Sequence, residues 1–321
     1  MTASRRRALR VGALIALAAL LVAFGRRVDW RSAAEVLRAA DPLLVAAALA
    51  LNLLSLGLKG VRWWVFLRPL GQVPLPVVLR ATFAGASLNN LLVAQGGEGA
   101  RVLLVARATG VSTAGVLAAL ALERTLDIAS YLLLLVSVAW MVELPAHIAR
   151  WRSGAALVLA IVGLLVVVLG AAARRAPSNR LGGGAPSGGR LGAYLHRMRT
   201  GAALSATPAR LVAGMALSLA AWSLQVATYH LAARAAHLPL PLTGSVAALL
   251  AVGISFLVRA TPGNVGIFQV IYALTVRSFG IAEAPAVAVA LLIQTVQVLP
   301  TVVIGTLAAP RLLRGTPRDD P

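Results

Sequence analysis

The chain has 321 residues, of which 59% are hydrophobic and only 12% are charged, and its formal net charge at pH 7 is +20. A soluble domain carries about 25% charged residues, so this composition excludes an ordinary soluble fold and indicates a helical membrane protein. The lack of cysteine excludes disulfides and thiolate chemistry, and the four histidines show no metal-ligand spacing. We therefore expect no metal and no cofactor.

The excess of arginine lies in short segments that flank apolar runs. Proteins that bind nucleic acids instead gather basic residues on one face of a domain or along one helix. We therefore interpret the positive charge as a determinant of membrane topology and of affinity for anionic lipids, and we expect no nucleic-acid partner.

Apolar segments follow one another along the whole chain. The first, residues 11–24, follows three arginines and has no convincing small-x-small cleavage site, which favours an uncleaved helix over a signal peptide. The others cover residues 42–58, 75–94, 112–141, 154–173, 211–233, 242–258, 265–279 and 284–309. Residues 174–210 combine glycine, proline and serine with arginine, a composition that predicts a flexible basic loop.

The distribution of basic residues predicts the topology. If every segment crossed the membrane, the arginines of residues 174–210 would lie opposite those of the N-terminus. The conflict disappears if residues 75–106 and 242–279 each enter the membrane and return to their own side. Residues 59–68, 101–107 and 174–210 then face the cytoplasm, together with the N-terminus and the C-terminus.

We therefore predict an all-α polytopic membrane protein of the bacterial plasma (inner) membrane. A single transmembrane domain over residues 1–321 would have about six full spans plus two re-entrant helical hairpins. Residues 42–141 and 211–309 would form a possible inverted repeat, an arrangement that places the binding site of many transporters where broken helices meet. A chance similarity between two glycine-rich turns, residues 95–101 and 261–269, is the alternative.

The first polar cluster lies at the turn of the first hairpin. Irregular backbone at membrane depth persists only where it is buried in protein or lines a water-filled cavity. The glycines leave backbone N–H groups free, Arg101 suits a phosphate, and Glu98 can orient Arg101. The alternatives are an interfacial turn with a solvated ion pair, and asparagines that only join helices. The cluster contains Asn89, Asn90, Gln95, Gly97, Glu98 and Arg101.

The second cluster, Glu123, Arg124 and Asp127, lies near the centre of a predicted helix whose N-cap is Ser112. Each charge at that depth costs about 2.5–3.5 kcal/mol unless it is paired, so we expect all three to face the bundle interior. A structural ion-pair network and a substrate-facing site are equally compatible with this pattern.

The third cluster is the turn of the second hairpin. Pro262 and Gly263 end one helix, and Gly266 allows the next to begin close against a neighbour. A helix that starts near Asn264 would direct its N-terminal N–H groups at the tip of the hairpin and form an anion site. An ordinary loop between two spanning helices is the alternative.

Together, these clusters resemble the lysylphosphatidylglycerol synthase transmembrane (flippase-like) family over about Lys59 to Ala309. The sequence departs from the family pattern where Asn264 replaces a glycine, Gln269 a glutamate and Gln294 an arginine. Loss of the acid and the base together indicates a neutralised buried pair whose amides can still form hydrogen bonds. The residues that match in position and order are Asn89 or Asn90, Gly97, Glu98, Arg101, Glu123, Arg124, Asp127, Pro262, Gly263 and Gly266.

The resemblance implies a flippase-like lipid transporter. We expect the head group of an anionic phospholipid or a polyprenyl-phosphate lipid to enter a cavity between the two hairpins. Arg101 would hold the phosphate, while Glu98, Glu123, Arg124 and Asp127 would shape the polar path.

Large members of the family attach an amino acid to phosphatidylglycerol through a separate soluble domain. This sequence ends at Pro321, soon after its last apolar segment, so we expect no aminoacyl transfer and no catalytic residues. The alternatives are a membrane enzyme that uses a polyprenyl-phosphate donor and a non-transporting scaffold for cell-envelope synthesis. The sequence does not specify an oligomeric state.

Overall fold

The computed structural model describes residues 25–26, 28–91, 96–141, 154, 156–161, 163–164, 189–256 and 261–313. Within these ranges the chain forms helices joined by turns and contains no strand. We number the helices α1 (Trp30–Arg38), α2 (Pro42–Leu67), α3 (Leu75–Leu91), α4 (Gly96–Thr109), α5 (Thr113–Met141), α6 (Gly189–Ser205), α7 (Pro208–Ala235), α8 (Leu242–Ser255), α9 (Ile267–Arg277) and α10 (Glu283–Leu313).

The all-α prediction is confirmed, because the described apolar segments coincide with helices. The predicted N-cap of α5 is also confirmed, since Ser112 Oγ accepts a hydrogen bond from the Gly115 amide at 3.2 Å. The first predicted segment, residues 11–24, lies outside the described residues, as does most of residues 154–173, so the number of full spans stays a prediction. Among the described residues, three stretches are long and apolar enough to cross a membrane, namely Pro42–Leu70, Pro208–Ala235 and Glu283–Ala308.

Helix α2 carries polar side chains on its buried face and apolar ones on its exposed face. Asn52 and Ser55 are buried, whereas Leu43 and Leu54 are exposed by 76% and 53%. Ser55 Oγ donates a hydrogen bond to the carbonyl oxygen of Ala221 in α7 at 2.9 Å. Lipid has no hydrogen-bonding groups in its core, so polar side chains of a membrane helix turn towards neighbouring helices in this way.

Two pairs of short helices form helical hairpins. In the α3–α4 hairpin, a Cβ atom added to Gly97 would lie 2.6 Å from the side chain of Asn89, so the two helices approach at a residue without a side chain. In the α8–α9 hairpin, a Cβ atom on Gly244 would lie 3.3 Å from the ring of Phe279, which follows the end of α9. The helices of each pair approach closely, as a helical hairpin requires, while their re-entrant course through a membrane and the inverted repeat stay predictions.

The chain divides into two compact units. The first comprises residues 1–50, 90–94 and 226–298 and contains the α8–α9 hairpin. Its aromatic core includes Tyr229, whose ring centroid lies 6.2 Å from that of Phe268 and 6.3 Å from that of Tyr272. The second comprises residues 51–89, 95–225 and 299–321 and contains the α3–α4 hairpin together with α5 and α6. Among its described residues, the largest buried apolar side chains are Trp63, Phe66, Leu67, Leu126, Val78 and Val105.

The prediction of a flexible loop over residues 174–210 is wrong for its second half, which forms α6. A Cβ atom on Gly201 would lie 2.9 Å from the Cα atom of Gly115, so α6 contacts α5 at a pair of glycines. Ser205 Oγ also donates a hydrogen bond to the carbonyl oxygen of Phe66 at 2.7 Å. The prediction averaged the composition over the whole interval, in which glycine, proline and serine dominate the first half. The second half contains leucine, methionine and alanine, which favour a helix. Residues 174–188 lie outside the described residues.

Gly97→Ala should destabilise the protein, because its methyl group would displace Asn89 and the α3 backbone. Overpacking of this kind typically costs about 1–3 kcal/mol. We expect a lower midpoint of thermal unfolding in detergent.

Gly99→Ala is the matched control, because no atom lies within 4 Å of a Cβ at Gly99 in the same helix. Alanine also favours a helix interior over glycine by about 0.5–1 kcal/mol. The midpoint of this variant should stay unchanged or rise. Equal destabilisation by the two substitutions would contradict the close approach of α3 and α4 at Gly97.

Candidate functional site

The α3–α4 hairpin positions the first polar cluster. Asn89 Oδ1 accepts a hydrogen bond from the Gly97 amide at 3.0 Å, and Asn89 Nδ2 donates one to Glu98 Oε1 at 3.4 Å. Asn89 thereby satisfies an amide in the first turn of α4, a group that has no partner within its own helix. The asparagine both joins the helices and fixes the position of Glu98. Gln95, which we predicted in this cluster, lies outside the described residues.

Arg101 lies one turn further along α4 and is 4% exposed. Its guanidinium carbon lies 4.2 Å from the ring centroid of Trp63, and its nitrogens contact Glu98 Oε2 at 3.3 Å and Glu123 Oε2 at 3.1 Å. The prediction that Glu98 orients Arg101 is confirmed. The buried Arg101 is held on both sides, so its cation is already neutralised by the protein.

Arg62 completes the buried part of the site. Its Nη2 atom lies 2.9 Å from Glu123 Oε1, and its Nη1 atom lies 3.0 Å from Asp127 Oδ1. Nη1 also donates a hydrogen bond to Ser218 Oγ in α7 at 2.6 Å. One guanidinium therefore joins α2 to α5 and to α7.

Arg124 forms the exposed end of the site. It contacts Glu98, and its Nη1 atom lies 3.5 Å from Asp127 Oδ2. The Arg124 side chain is 46% exposed, whereas those of Glu98 and Asp127 are 23% and 15% exposed. The predicted face shared by Arg124 and Asp127 is therefore confirmed.

These contacts form one continuous arrangement, which we call the ion-pair network. At its buried end the charged atoms lie 2.9 to 3.1 Å apart. Such close contacts are needed for the attraction between buried charges to offset the loss of their hydration. Its other end is open. The members of the ion-pair network are Arg62, Glu98, Arg101, Glu123, Arg124 and Asp127.

Arg62 was missed by the sequence analysis, which placed residues 59–68 in a cytoplasmic segment. Helix α2 continues to Leu67 and the Arg62 side chain is fully buried, while the side of the membrane on which residues 59–68 lie stays a prediction. The apolar pattern stops at Lys59 and Arg62, so the sequence analysis ended the apolar segment there. The charge of Arg62 is neutralised by Glu123 and Asp127 on another helix. The available signal was the position of Arg62, a cation just after an apolar segment and one turn after Lys59.

Two tryptophans beside the ion-pair network were also missed. Trp63 stacks on Arg101, and Trp222 Nε1 donates a hydrogen bond to Asp127 Oδ1 at 3.2 Å. Trp222 stands in an apolar segment and Trp63 just after one, and a tryptophan at either place is ordinarily read as part of the core. Their contacts with charged groups depend on packing between helices.

A second arrangement lies at the turn of the α8–α9 hairpin. Gln269 Nε2 donates a hydrogen bond to Gln294 Oε1 at 2.5 Å, and Gln294 Nε2 donates one to the carbonyl oxygen of Gly263 at 2.7 Å. The Gly266 amide in turn donates to Gln269 Oε1 at 2.6 Å. We call Gly263, Gly266, Gln269 and Gln294 the amide clamp. It confirms the predicted hydrogen-bonded pair of glutamine side chains.

The amide clamp fixes a turn that requires left-handed backbone. Gly263 and Gly266 have φ values of 61° and 87°, and Asn264 has a φ value of 60°. Asn264 Nδ2 donates a hydrogen bond to Ser255 Oγ at 2.7 Å, which secures this residue in an uncommon conformation. A Cβ atom on Gly263 would lie 3.5 Å from the carbonyl oxygen of Asn90.

The predicted start of the helix at this turn needs correction. Pro262–Asn264 forms a short 3-10 turn, and α9 begins at Ile267, not near Asn264. The amide of the N-cap residue, Gly266, is already bonded to Gln269. The helix therefore starts three residues later than predicted, and an anion site at its N-terminus stays a prediction.

The sequence model of the family described as Lysylphosphatidylglycerol synthase TM region matches residues 10–305 of the chain. This match confirms the family resemblance and extends it towards the N-terminus. No curated protein matches the chain.

Arg62→Met should strongly destabilise the second unit, because it leaves Glu123 and Asp127 as buried charges that have lost a shared partner. Breaking a buried pair in this way costs about 3–5 kcal/mol. We expect a large fall in the midpoint of thermal unfolding in detergent. The double variant Arg62→Met/Glu123→Gln should recover part of that loss. Arg107→Met, which removes an exposed cation of α4, is the control and should leave the midpoint nearly unchanged.

Gln269→Glu and Gln294→Arg test the amide clamp. These side chains are only 5% and 7% exposed, so each single substitution places an unpaired charge in a buried position. We expect each single variant to unfold at a clearly lower temperature than the wild type. The double variant should be more stable than either single variant, because the two new charges can pair. Additive losses in the double variant would contradict the contact.

Proposed function

Because the chain is a multi-pass membrane protein of the lysylphosphatidylglycerol synthase transmembrane-region family, we propose that it transports lipids across the membrane. In this proposal the anionic head group of a phospholipid or a polyprenyl-phosphate lipid binds at the ion-pair network, while the acyl or prenyl chains stay in the bilayer. Basic residues flank the apolar segments, and their distribution favours a plasma membrane with both termini in the cytoplasm.

The observation that carries this proposal is the graded burial of the ion-pair network. Arg62, Glu123 and Arg101 are closed off from the surroundings, but the Arg124 side chain is 46% exposed. A network that served only to hold helices together would gain from closure at both ends, since exposed ion pairs contribute little to stability. An exposed arginine that is held in place by two carboxylates is suited to exchanging contacts with a passing phosphate.

In a membrane, the charged side chains of the ion-pair network are costly to bury, and they can also serve as partners for a polar substrate. Ionisable side chains inside a bilayer are expensive, and they commonly mark the path of a polar substrate. A head group that crosses the apolar core needs polar partners along its way, because the lipid chains offer none. The ion-pair network supplies charged groups of both signs near the middle of α5.

This proposal changes the role expected for Arg101. We predicted that Arg101 would hold the phosphate, yet it is buried between Glu98, Glu123 and Trp63. We therefore assign the first contact with a head group to Arg124, and we assign to Arg101 the positioning of Glu98 and Glu123.

Arg124→Gln tests the proposal in proteoliposomes that contain fluorescent phosphatidylglycerol. We expect the rate of transbilayer movement to fall about tenfold or more, the loss that removal of one charged contact of about 1.4 kcal/mol or more produces. The midpoint of thermal unfolding should change little, because the side chain is half exposed. Arg107→Gln is the matched control, with the same chemical change at an exposed arginine outside the network, and should transport like the wild type.

The alternatives give different outcomes in the same assay. A non-transporting scaffold would show no transbilayer movement for the wild type or for either variant. An enzyme would convert a polyprenyl-phosphate donor to a new product, which mass spectrometry of the extracted lipids would detect. Equal transport by the wild type and Arg124→Gln would contradict a role of the ion-pair network in binding the head group.

A further inference from the structure

Lys59 lies beside the ion-pair network, and no carboxylate among the described residues is within ion-pair distance of it. It lies in α2, one turn before Arg62, and its side chain is partly buried. Its Nζ atom lies 5.4 Å from the ring centroid of Trp222, the residue that donates a hydrogen bond to Asp127. Within the described part of the chain, Lys59 forms no ion pair and no hydrogen bond through its side chain.

Lys59 gives the site an excess of positive charge. The ion-pair network alone contains three arginines and three carboxylates, so it is electrically neutral. With Lys59 there are four cations for three anions among the described residues of this site. One positive charge therefore remains uncompensated in a poorly solvated position, where an incoming anion gains the most.

The site also has an excess of hydrogen-bond donors. Arg62 Nε, Arg101 Nε and Trp63 Nε1 are buried, and none has an acceptor in the described part of the protein. All the buried side-chain atoms without a partner in this unit's described residues are donors. These three donors are enclosed by protein, so contact with a ligand falls to the partly buried Lys59 ammonium group. An ammonium group only donates hydrogen bonds, and it therefore complements a phosphate ester, which accepts them.

We infer that Lys59 binds the phosphate of a lipid phosphodiester that carries one net negative charge. The Trp222 ring holds the ammonium group by a cation–π contact, and three ammonium N–H donors remain for phosphate oxygens. This inference rests on the proposed function, and it narrows the substrate of the same site by charge.

Charge compensation separates the classes of lipid. A phosphodiester with one negative charge makes Lys59 and the ion-pair network neutral together. A zwitterionic lipid leaves the positive charge uncompensated, and a phosphomonoester, which carries about −1.5 to −2 at pH 7, overcompensates it. Phosphatidylglycerol should therefore bind better than either phosphatidylcholine or a polyprenyl monophosphate.

The test compares lipid binding by the full-length protein in detergent, measured by native mass spectrometry with equimolar lipid pairs. The wild type should prefer phosphatidylglycerol over phosphatidylcholine by about tenfold or more. Lys59→Met keeps the length of the side chain and removes its charge, so it should abolish this preference. Lys59→Arg should retain most of it. Arg80→Met is the matched control, because it removes an exposed cation from the same unit, and should behave like the wild type.

Each outcome supports or overturns a distinct claim. If the wild type prefers phosphatidylglycerol and Lys59→Met prefers it equally, the role of Lys59 is wrong while the proposed function stands. If the wild type favours the polyprenyl monophosphate, the inferred charge class is wrong. If the wild type neither binds nor moves any of these lipids, the proposed function itself fails.

Two further arms keep the result specific. Soluble glycerophosphoglycerol offers the same phosphodiester without acyl chains. Competition by this compound at concentrations near those of the lipid would assign the site to a free phosphodiester and overturn the lipid assignment. If Lys59→Met unfolds at a lower temperature, Lys59→Gln and Lys59→Arg decide between charge and packing. Loss of the preference in Lys59→Gln with retention in Lys59→Arg supports the inference, and equal preference in both overturns it.

Discussion

The contact of Arg62 with Glu123 and Asp127 is the interaction on which the second unit depends. These two carboxylates stand one turn apart on α5, and a single guanidinium from α2 reaches both, at 2.9 and 3.0 Å. Arg62 and Glu123 are almost fully buried, beside the apolar side chains of Phe66 and Leu126. Because neither charge is tolerable alone in such surroundings, packing of these helices and pairing of these charges require each other.

That requirement also shapes what the site can do. Glu123 contacts Arg62 with one oxygen and Arg101 with the other, so the buried end of the network has few alternative arrangements. Freedom remains where Glu98, Arg124 and Asp127 meet, because these side chains keep contact with the surroundings. A rigid buried end and an exchangeable outer end are properties expected of a site that binds and releases a polar group in an apolar solvent.

Local pattern was sufficient to predict most of the helices and both hairpins. Apolar run length predicted α2, α7 and α10, and the glycine-rich turns predicted the breaks between α3 and α4 and between α8 and α9. Helix α6 could not be found in this way, because its contact with α5 at Gly201 depends on a distant glycine. The charged residues of α5 and Glu98 with Arg101 were identified from spacing, but Arg62 was not, because its partners lie 61 and 65 residues away. Arg101 was predicted to hold a phosphate, and its contacts with Glu98, Glu123 and Trp63 instead support a positioning role.

The amide clamp at Gln269 and Gln294 carries no net charge. Its hydrogen bonds hold a turn of left-handed backbone without any ionised group. A transmembrane voltage acts on a moved elementary charge with about 2.3 kcal/mol per 100 mV, but a neutral amide pair has no such charge to move. A change in transmembrane voltage should therefore not act directly on the hydrogen bonds of the amide clamp.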